Sequence, residues 1–232
     1  DSLGMVVQGH SSTLPVTVAD IAYHTRAVAS SNSHALIMAD MPFMSYSNTT
    51  DACHNAHLLM QAGAHMVKLE GASWLAETVR VLHQNGIPSC VHLGLTPQSV
   101  NVMGGYKLQA KNQDDADRLL ADCKAVVDAG AALLLLECVP THIAALVQAS
   151  FDVPVIGIGA GIDCDGQVLV LHDMLGLTFG KKARFVHDFL QQVALSPATK
   201  PEGADKNTEM SGNPSLIVQA LSAFHTAVKM KT

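Results

Sequence analysis

Gly63-Ala-His-Met-Val-Lys-Leu-Glu70 decides how this chain is read. A helix-like stretch ends on the glycine, an apolar run follows at once, and the run closes on ionisable side chains. The same order recurs in Gly86-Ile-Pro-Ser-Cys-Val-His92 and in Gly130-Ala-Ala-Leu-Leu-Leu-Leu-Glu137. Glycine just past a helix end adopts the left-handed cap that turns the chain back toward a strand. Each repeat is therefore a helix, a glycine and a strand whose tip carries Glu70, His92 or Glu137. Residues 34–40 read as a further strand that stops on Asp40. Unbroken apolar runs mark strands covered on both faces by helices. Ionisable groups gathered at their carboxyl ends mark the catalytic rim of a (β/α) barrel. The pattern predicts an enzyme.

Composition sets the bounds. A chain of 232 residues that is 48% hydrophobic can bury a large core, and alternating strands and helices point to one α/β domain. Twenty acidic against fourteen basic residues leave a net charge of −6 and no basic stripe, which argues against a nucleic-acid partner. The five cysteines, Cys53, Cys90, Cys123, Cys138 and Cys164, form no Cys-x-x-Cys pair, as expected of reduced thiols in a cytoplasmic protein. No apolar stretch reaches the roughly 18 residues needed to span a bilayer, so no membrane is expected.

Along the chain, Thr17-Val-Ala-Asp20 has capping-box spacing and opens a helix over 17–29. Further helices are predicted over 49–63, capped by Thr49 or Thr50, over 74–84, capped by Ser73, and over 114–129 and 142–150. Strands follow over 153–158 and 167–171, which brings the number of strands to six. An eight-stranded barrel needs two more, and those would have to precede Asp1; the chain reads as N-terminally truncated. The long segment 94–111 carries Gly104-Gly105-Tyr106 and is a candidate lid or binding loop. The expected organisation is a catalytic barrel over 1–190, a polar linker over 191–214 and a C-terminal helical segment over 215–232.

Lys68 and Glu70 lie two apart on one strand, so both point to the same face, with Val67 and Leu69 on the other. Two charges at the tip of a buried strand are costly without a task; a structural ion pair plugging the barrel end is the plainer alternative. Asp1, Asp40 and Glu70 meeting at one rim would suit a hard cation such as Mg2+, which takes one or two protein carboxylates plus substrate oxygens. His54-x-x-His57 has zinc spacing on a helix but no third ligand nearby in sequence, and reads instead as a solvated helix face. Glu137 ends the longest apolar run, so partial desolvation suits it to proton transfer. His92 is a second acid/base or substrate-binding candidate, with a satisfied core histidine as the alternative. Gly157-Ile-Gly159-Ala-Gly161 resembles a dinucleotide loop only weakly, because no long helix opens after it.

Asp1-Ser-Leu-Gly-Met-Val-Val-Gln-Gly-His10, Tyr23-His-Thr-Arg-Ala-Val28, Ala39-Asp-Met-Pro-Phe43, Val67-Lys-Leu-Glu-Gly71, His92-Leu-Gly-Leu-Thr-Pro-Gln-Ser99, Gly104-Gly-Tyr-Lys107, Leu136-Glu-Cys-Val-Pro140 and Ile156-Gly-Ile-Gly-Ala-Gly161 occur in one order. Over residues 1–190 this set resembles ketopantoate hydroxymethyltransferase. The resemblance implies a (β/α)8 TIM barrel, of which the first strand, first helix and most of the second strand would lie ahead of the position matching Asp1. It implies an Mg2+-dependent, aldol-type transfer of a hydroxymethyl group from 5,10-methylenetetrahydrofolate to 3-methyl-2-oxobutanoate, giving ketopantoate for pantothenate biosynthesis. The metal carboxylates of the family match Asp1 and Asp40, with Glu70 as an outer partner. Its keto-acid contacts match Asp1, Ser2, Asp40 and Lys68, its proton acceptor matches Glu137, and His92 falls in its active-site histidine motif. The resemblance also implies a cytoplasmic homo-oligomer, a decamer, whose partners are the keto acid and the folate. The final Ala-Phe-His-Thr-Ala-Val-Lys-Met-Lys-Thr does not match the usual family ending.

Three other readings stay open on sequence. Lys68 as a Schiff-base nucleophile needs a depressed pKa, which Glu70 on the same face opposes. The other two are a different Mg2+-dependent keto-acid aldolase or lyase, and a non-catalytic ligand-binding or subunit-binding remnant.

Overall fold

The computed structural model describes residues 1–178, 182–194, 218–219 and 221–223, which fall into two compact units, Asp1–Gly166 and Gln167–Thr232. The first unit runs α1 (Leu3–Val6), α2 (Val18–Ser31), β1 (Met38–Asp40), α3 (Thr49–Gln61), β2 (Met66–Glu70), α4 (Ala76–Gln84), β3 (Ser89–Gly94), α5 (Val100–Met103), α6 (Gln113–Asp128), β4 (Leu133–Glu137), α7 (Thr141–Ser150) and β5 (Val155–Ile158). A two-residue strand, β6 (Gly166–Gln167), lies at the junction and ends a sheet ordered β1-β2-β3-β4-β5-β6. The pairs from β1 through β5 are all parallel. Strands adjacent in sequence are adjacent in the sheet and joined by helices, which is the connectivity of a (β/α) barrel. The described strands form an open α/β sheet of six, and eight-stranded closure is not reached among the described residues.

The three glycines that punctuate the sequence do what the chain needs of them. Gly63, Gly86 and Gly130 have φ of 106°, 77° and 104° and sit directly after α3, α4 and α6. At the other helix ends the sequence reading is partly corrected. Thr17 and Asp20 form the expected capping box of α2, but α3 is capped by Asn48, whose side chain accepts from Asp51 N–H, and not by Thr49 or Thr50. Asparagine with extended backbone satisfies the orphan amide one residue earlier. Ser73 caps nothing: it opens a 3-10 turn, Ser73–Leu75, ahead of α4, and its N–H donates to Asp122 on α6.

Strand β1 is shorter than the run 34–40 suggested. Asn32 clamps Ala35 through two hydrogen bonds, and Ile37 N–H donates to His65 Nδ1 instead of to a neighbouring strand, so pairing starts only at Met38.

The sheet has two differently filled faces. Ala39, Val67, Leu69, Val91, Leu93, Leu134, Leu136 and Val155 belong to the main core, packed with Leu59, Leu75, Val79, Leu82, Val126 and Val147 from the helices. The alternate residues carry a thinner cluster of Met66, Cys90 and Leu135 with Met38, Leu133 and Ile158. Period-two alternation puts Asp40, Lys68, Glu70, His92 and Glu137 on that second face, above its apolar layer. The register aligns Asp40 with Lys68, Glu70 with His92 and Gly94 with Glu137.

In the second unit the run read as a strand over 167–171 is corrected. β6 stops at Gln167, and Leu171–Met174 is a short helix, α8. A short apolar run does not distinguish strand from helix by periodicity; here Met174 and Leu175 pack with Phe189 and Leu190 of α9 (Phe189–Ala194), while Val168 and Leu171 stay exposed. Residues 191–194 of the expected linker belong to α9, and 195–214 lie outside the described residues. Of the expected helical segment 215–232, residues 218–219 and 221–223 are described, and they are helical. No helix among the described residues is long and apolar enough to cross a membrane.

Gly94 (φ 86°) offers a sharp test of the register. A Cβ there would lie 2.4 Å from the carbonyl oxygen of Glu137, whereas one at Gly86 would meet nothing within 4 Å. Gly86→Ala should cost about 1 kcal/mol for the left-handed backbone alone. Gly94→Ala should cost at least about 2 kcal/mol more, because the β3–β4 approach must open. Equilibrium denaturant unfolding of the two variants measures the difference.

Candidate active site

Lys68 is the centre of the rim. Its side chain is 10% exposed, and its Nζ lies 3.3 Å from Asp40 Oδ1 on the neighbouring strand and 3.6 Å from Glu70 Oε1 on its own. Burial alone would push the ammonium toward its neutral form, but the charges of Asp40 and Glu70 outweigh it and hold the lysine well above its ordinary value. The carboxyl of Asp40 is held far below the usual range: burial works against it, and the charge of Lys68 prevails. The backbone nitrogen of Asp1 touches Asp40 Oδ2 directly, which brings the buried Asp1 against the end of β1.

Gln98 ties the cluster together. Its Nε2 donates to Asp1 Oδ2 (2.7 Å) and to the carbonyl of Met41 (2.9 Å), and its backbone N–H donates to Glu70 Oε2 (2.9 Å). Tyr46 supports the same group. Its hydroxyl donates to Gln98 Oε1 (2.5 Å), lies 3.1 Å from the carbonyl oxygen of Glu70 and accepts from Glu70 N–H (3.2 Å). Burial and the charge of Glu70 raise the phenol far above its ordinary value, so it stays a neutral donor.

On the other side of Glu70, the ring of His92 is buried between two carboxylates. Nδ1 is 3.5 Å from Glu70 Oε1 and Nε2 is 3.3 Å from Glu137 Oε2. Neither contact has hydrogen-bond alignment, since both nitrogens lack a hydrogen-bond partner; they are ion contacts that reward a protonated ring. Burial opposes that charge, but Glu137 and Glu70 together raise the imidazole above its usual value. Glu70 is lowered in turn: burial raises it, and Lys68, then His92, pull it down further. The rim thus carries an unbroken line of contacts, Asp1–Gln98–Glu70–His92–Glu137, with Lys68 bridging Glu70 to Asp40. Glu137 keeps 14% of its side-chain surface open at the end of that line, consistent with the partial desolvation expected from its place at a strand tip.

Every residue singled out in sequence except Ser2 enters this line of contacts; Ser2 directly follows Asp1 and precedes α1. Gln98 and Tyr46 were missed. Gln98 sits on the 3-10 turn Pro97–Ser99 after β3, and only its proximity to His92 in sequence hinted at it. Tyr46 has no spacing signal at all. His54 and His57 form an edge-on ring pair on α3 with His54 exposed, as a solvated face would. The segment Gly157–Gly161 leads into a turn where Asp165 accepts from Val155 N–H and from Gln148, with no helix opening to cradle a phosphate.

For a metal, the donor set fits a hard cation. Asp40 and Glu70 flank Lys68, and Asp1 joins them through Gln98 and Asp40, so three carboxylates share one buried ammonium, a set of oxygen donors of the kind a hard cation takes. Each of the three is engaged: Glu70 by Gln98, Lys68 and His92, Asp40 by Lys68 and Asp1, and Asp1 by Gln98. Among the described residues, no group of three or more His, Cys, Asp or Glu is placed so that it could hold a metal ion by itself. Mg2+ does not require one, because it completes its shell with water and substrate oxygens.

The sequence profile of the family described as Ketopantoate hydroxymethyltransferase matches residues 1–199. A 3-methyl-2-oxobutanoate hydroxymethyltransferase from Acinetobacter baylyi is 59% identical over 230 residues, covering 99% of this chain and 79% of that protein. The chain belongs to the ketopantoate hydroxymethyltransferase family. Its namesake from Psychrobacter arcticus is 64% identical over 190 residues, 82% of this chain and 71% of its own. As a family member the protein is an enzyme that transfers a hydroxymethyl group, which removes the non-catalytic alternative. The Acinetobacter alignment extends past residue 190, covering 230 of the 232 residues.

Among solved structures, 2,3-dimethylmalate lyase, a PEP mutase/isocitrate lyase superfamily member, superposes with a TM-score of 0.55 at 12% identity, covering 97% of this chain and 81% of its own. Oxaloacetate acetylhydrolase reaches 0.51 at 10% identity, covering 97% and 80%. At such identities these likenesses speak to the fold alone.

Tyr46→Phe removes the hydroxyl that serves both the backbone of Glu70 and Gln98. The buried groups it leaves unpaired should lower unfolding free energy by about 1–3 kcal/mol, with the helix content at low temperature intact. Thermal and denaturant unfolding followed by circular dichroism reads both.

Proposed function

We propose that the enzyme transfers a hydroxymethyl group from 5,10-methylenetetrahydrofolate to 3-methyl-2-oxobutanoate, giving 2-dehydropantoate for pantothenate biosynthesis, with Mg2+ as its metal. The observation that carries this reading is the protonated Lys68 held between Asp40 and Glu70 beside Asp1, at one end of a contact line that ends at Glu137. A 2-oxo acid presents a carboxylate and a carbonyl oxygen, and this rim offers it a permanent ammonium next to a carboxylate pair suited to a hard cation. Assembly as a cytoplasmic homo-oligomer, the decamer of the family, belongs to the same proposal.

Asp1 and Asp40 would hold the metal, with Glu70 as the outer partner that keeps Lys68 and His92 in place. When bound, Mg2+ supplies Lewis-acid polarisation of the keto oxygen. Lys68, Ser2 and Asp1 bind and orient the keto acid so that C3 faces Glu137. Lys68 also offsets the negative charge that grows on the keto oxygen as the C3 proton leaves. Glu137 carries the proton transfer, and His92 steadies its carboxylate from behind. One water adds to the one-carbon unit, and the two C–N bonds to the folate break in turn, each nitrogen keeping its electron pair and gaining a proton, which leaves the carbon as an aldehyde. The carbanion electrons form the new C–C bond to that carbon, and its carbonyl oxygen, which came from water, takes up a proton to become the hydroxyl of the hydroxymethyl group.

A Schiff-base mechanism on Lys68 is opposed by the same contacts. A nucleophilic lysine must shed its proton near neutral pH, and the two carboxylates at 3.3 and 3.6 Å raise its pKa instead.

Excess EDTA should abolish activity, and added Mg2+ should restore it. Borohydride should trap no keto acid on Lys68; trapping together with full activity in chelator overturns the metal assignment. Asp40→Ala should eliminate Mg2+-dependent keto-acid binding by calorimetry. Glu137→Gln should keep that binding and lower kcat on the order of a hundredfold or more. Wild-type turnover in both variants would sink the assigned roles.

A further inference from the structure

The segment between β3 and α6 leaves and returns at the same place. Leu95 N–H donates to the carbonyl oxygen of Glu137 (2.8 Å), and Gln109 N–H donates to the carbonyl oxygen of Cys138 (2.8 Å). The return anchor is held by unusual backbone: Cys138 (φ 50°) and Ala110 (φ 51°) are both non-glycine residues in the left-handed region, a conformation that costs about 1–3 kcal/mol and persists only where surroundings enforce it. Between the anchors, Gly104 (φ 66°) and Gly105 (φ 111°) turn the chain over. Tyr106 follows, and its hydroxyl reaches Met5 Sδ at 3.8 Å, on the helix that begins two residues after Asp1. Tyr106 therefore spans the rim from the Glu137 side to the Asp1 side. Partial burial raises its phenol, and the charges of Glu137 and Glu70 add to the rise, as expected of a hydroxyl that faces the carboxylates.

Tyr106 as a whole is still 52% exposed, and its loop neighbours Val102 and Leu108 are 93% and 46% exposed. The charged keto acid is accounted for by Asp1, Ser2, Asp40 and Lys68 below. The aromatic face of Tyr106 stays open beside the carboxylates that the keto acid would use. A flat, larger second substrate would complete it, since aromatic rings stack face to face or edge to face with a gain beyond their buried area.

We propose that Tyr106 is a specificity-determining residue for the one-carbon donor, its ring forming the wall against which the pterin of the reduced folate packs while closing the rim over Glu137. This inference rests on the function proposed above.

Calorimetric titration with tetrahydrofolate, in the presence of Mg2+ and keto acid, tests it on Y106A, with V102A as a loop control. The expected result is a rise of roughly tenfold in the tetrahydrofolate Kd and in the KM for the methylene donor in Y106A. The keto-acid Kd should shift less than about twofold, and V102A should match wild type. Tetrahydrofolate affinity unchanged in Y106A, keto-acid affinity falling in parallel, or V102A failing equally would each overturn the inference. Exchange of the keto-acid C3 proton with deuterium oxide by the wild-type enzyme, followed by NMR, separates the two levels. If wild type neither exchanges that proton nor binds the keto acid, the proposed function itself fails. If wild type does both and Y106A binds tetrahydrofolate normally, only the role of Tyr106 falls.

Discussion

A buried ammonium sets the terms for this rim. Lys68 stands on a strand whose residues are all buried, and an unpaired charge there would cost several kcal/mol. Asp40 from one side and Glu70 from above make it tolerable, and each of those carboxylates in turn needs its own partners. Glu70 finds Gln98 N–H, His92 and the field of Lys68; Asp40 finds the nitrogen of Asp1. Removing any member leaves a charge without compensation, so the cluster holds its geometry cooperatively. The same demand fixes the orientation of these donors and charges in the absence of any ligand.

The parallel sheet makes the gathering possible. In register, Asp40 faces Lys68, Glu70 faces His92, and Glu137 stands one step further along beside Gly94. Each strand contributes residues two apart to one face, so successive strands raise the functional groups in a staircase around the rim. Gly94 is the step where side chain had to be given up, because the backbone of Glu137 occupies the space of its missing Cβ. Below the staircase the thin layer of Met66, Cys90 and Leu135 supplies the low-dielectric floor, and there burial pushes the Cys90 thiol up to about 12, leaving it inert.

Much of this was legible in the residues. Strand tips at Asp40, Glu70 and Glu137 followed from apolar runs that stop on charges, although β3 continues two residues past His92 to Gly94; the left-handed glycines at 63, 86 and 130 followed from helix-end chemistry. The same-face pairing of Lys68 and Glu70 needed only the two-residue period. The misreadings share one cause. The run 167–171, the start of β1 and the cap of α3 were all decided by partners distant in sequence or by competing side-chain hydrogen bonds, such as His65 capturing the amide of Ile37.

Sequence by itself determined the alternation of helix and strand, the identity of the charged strand tips and the membership of a family, because each is written in local spacing and motif. Tertiary structure decided which charges touch. That Gln98 bridges Asp1 and Glu70 across 97 and 28 residues, that Tyr46 braces both, and that His92 lies between Glu70 and Glu137 depends on strand register and loop path. Those are set by packing of the whole sheet against its helices, and a polar contact between residues far apart in the chain leaves no periodic trace from which it could have been read.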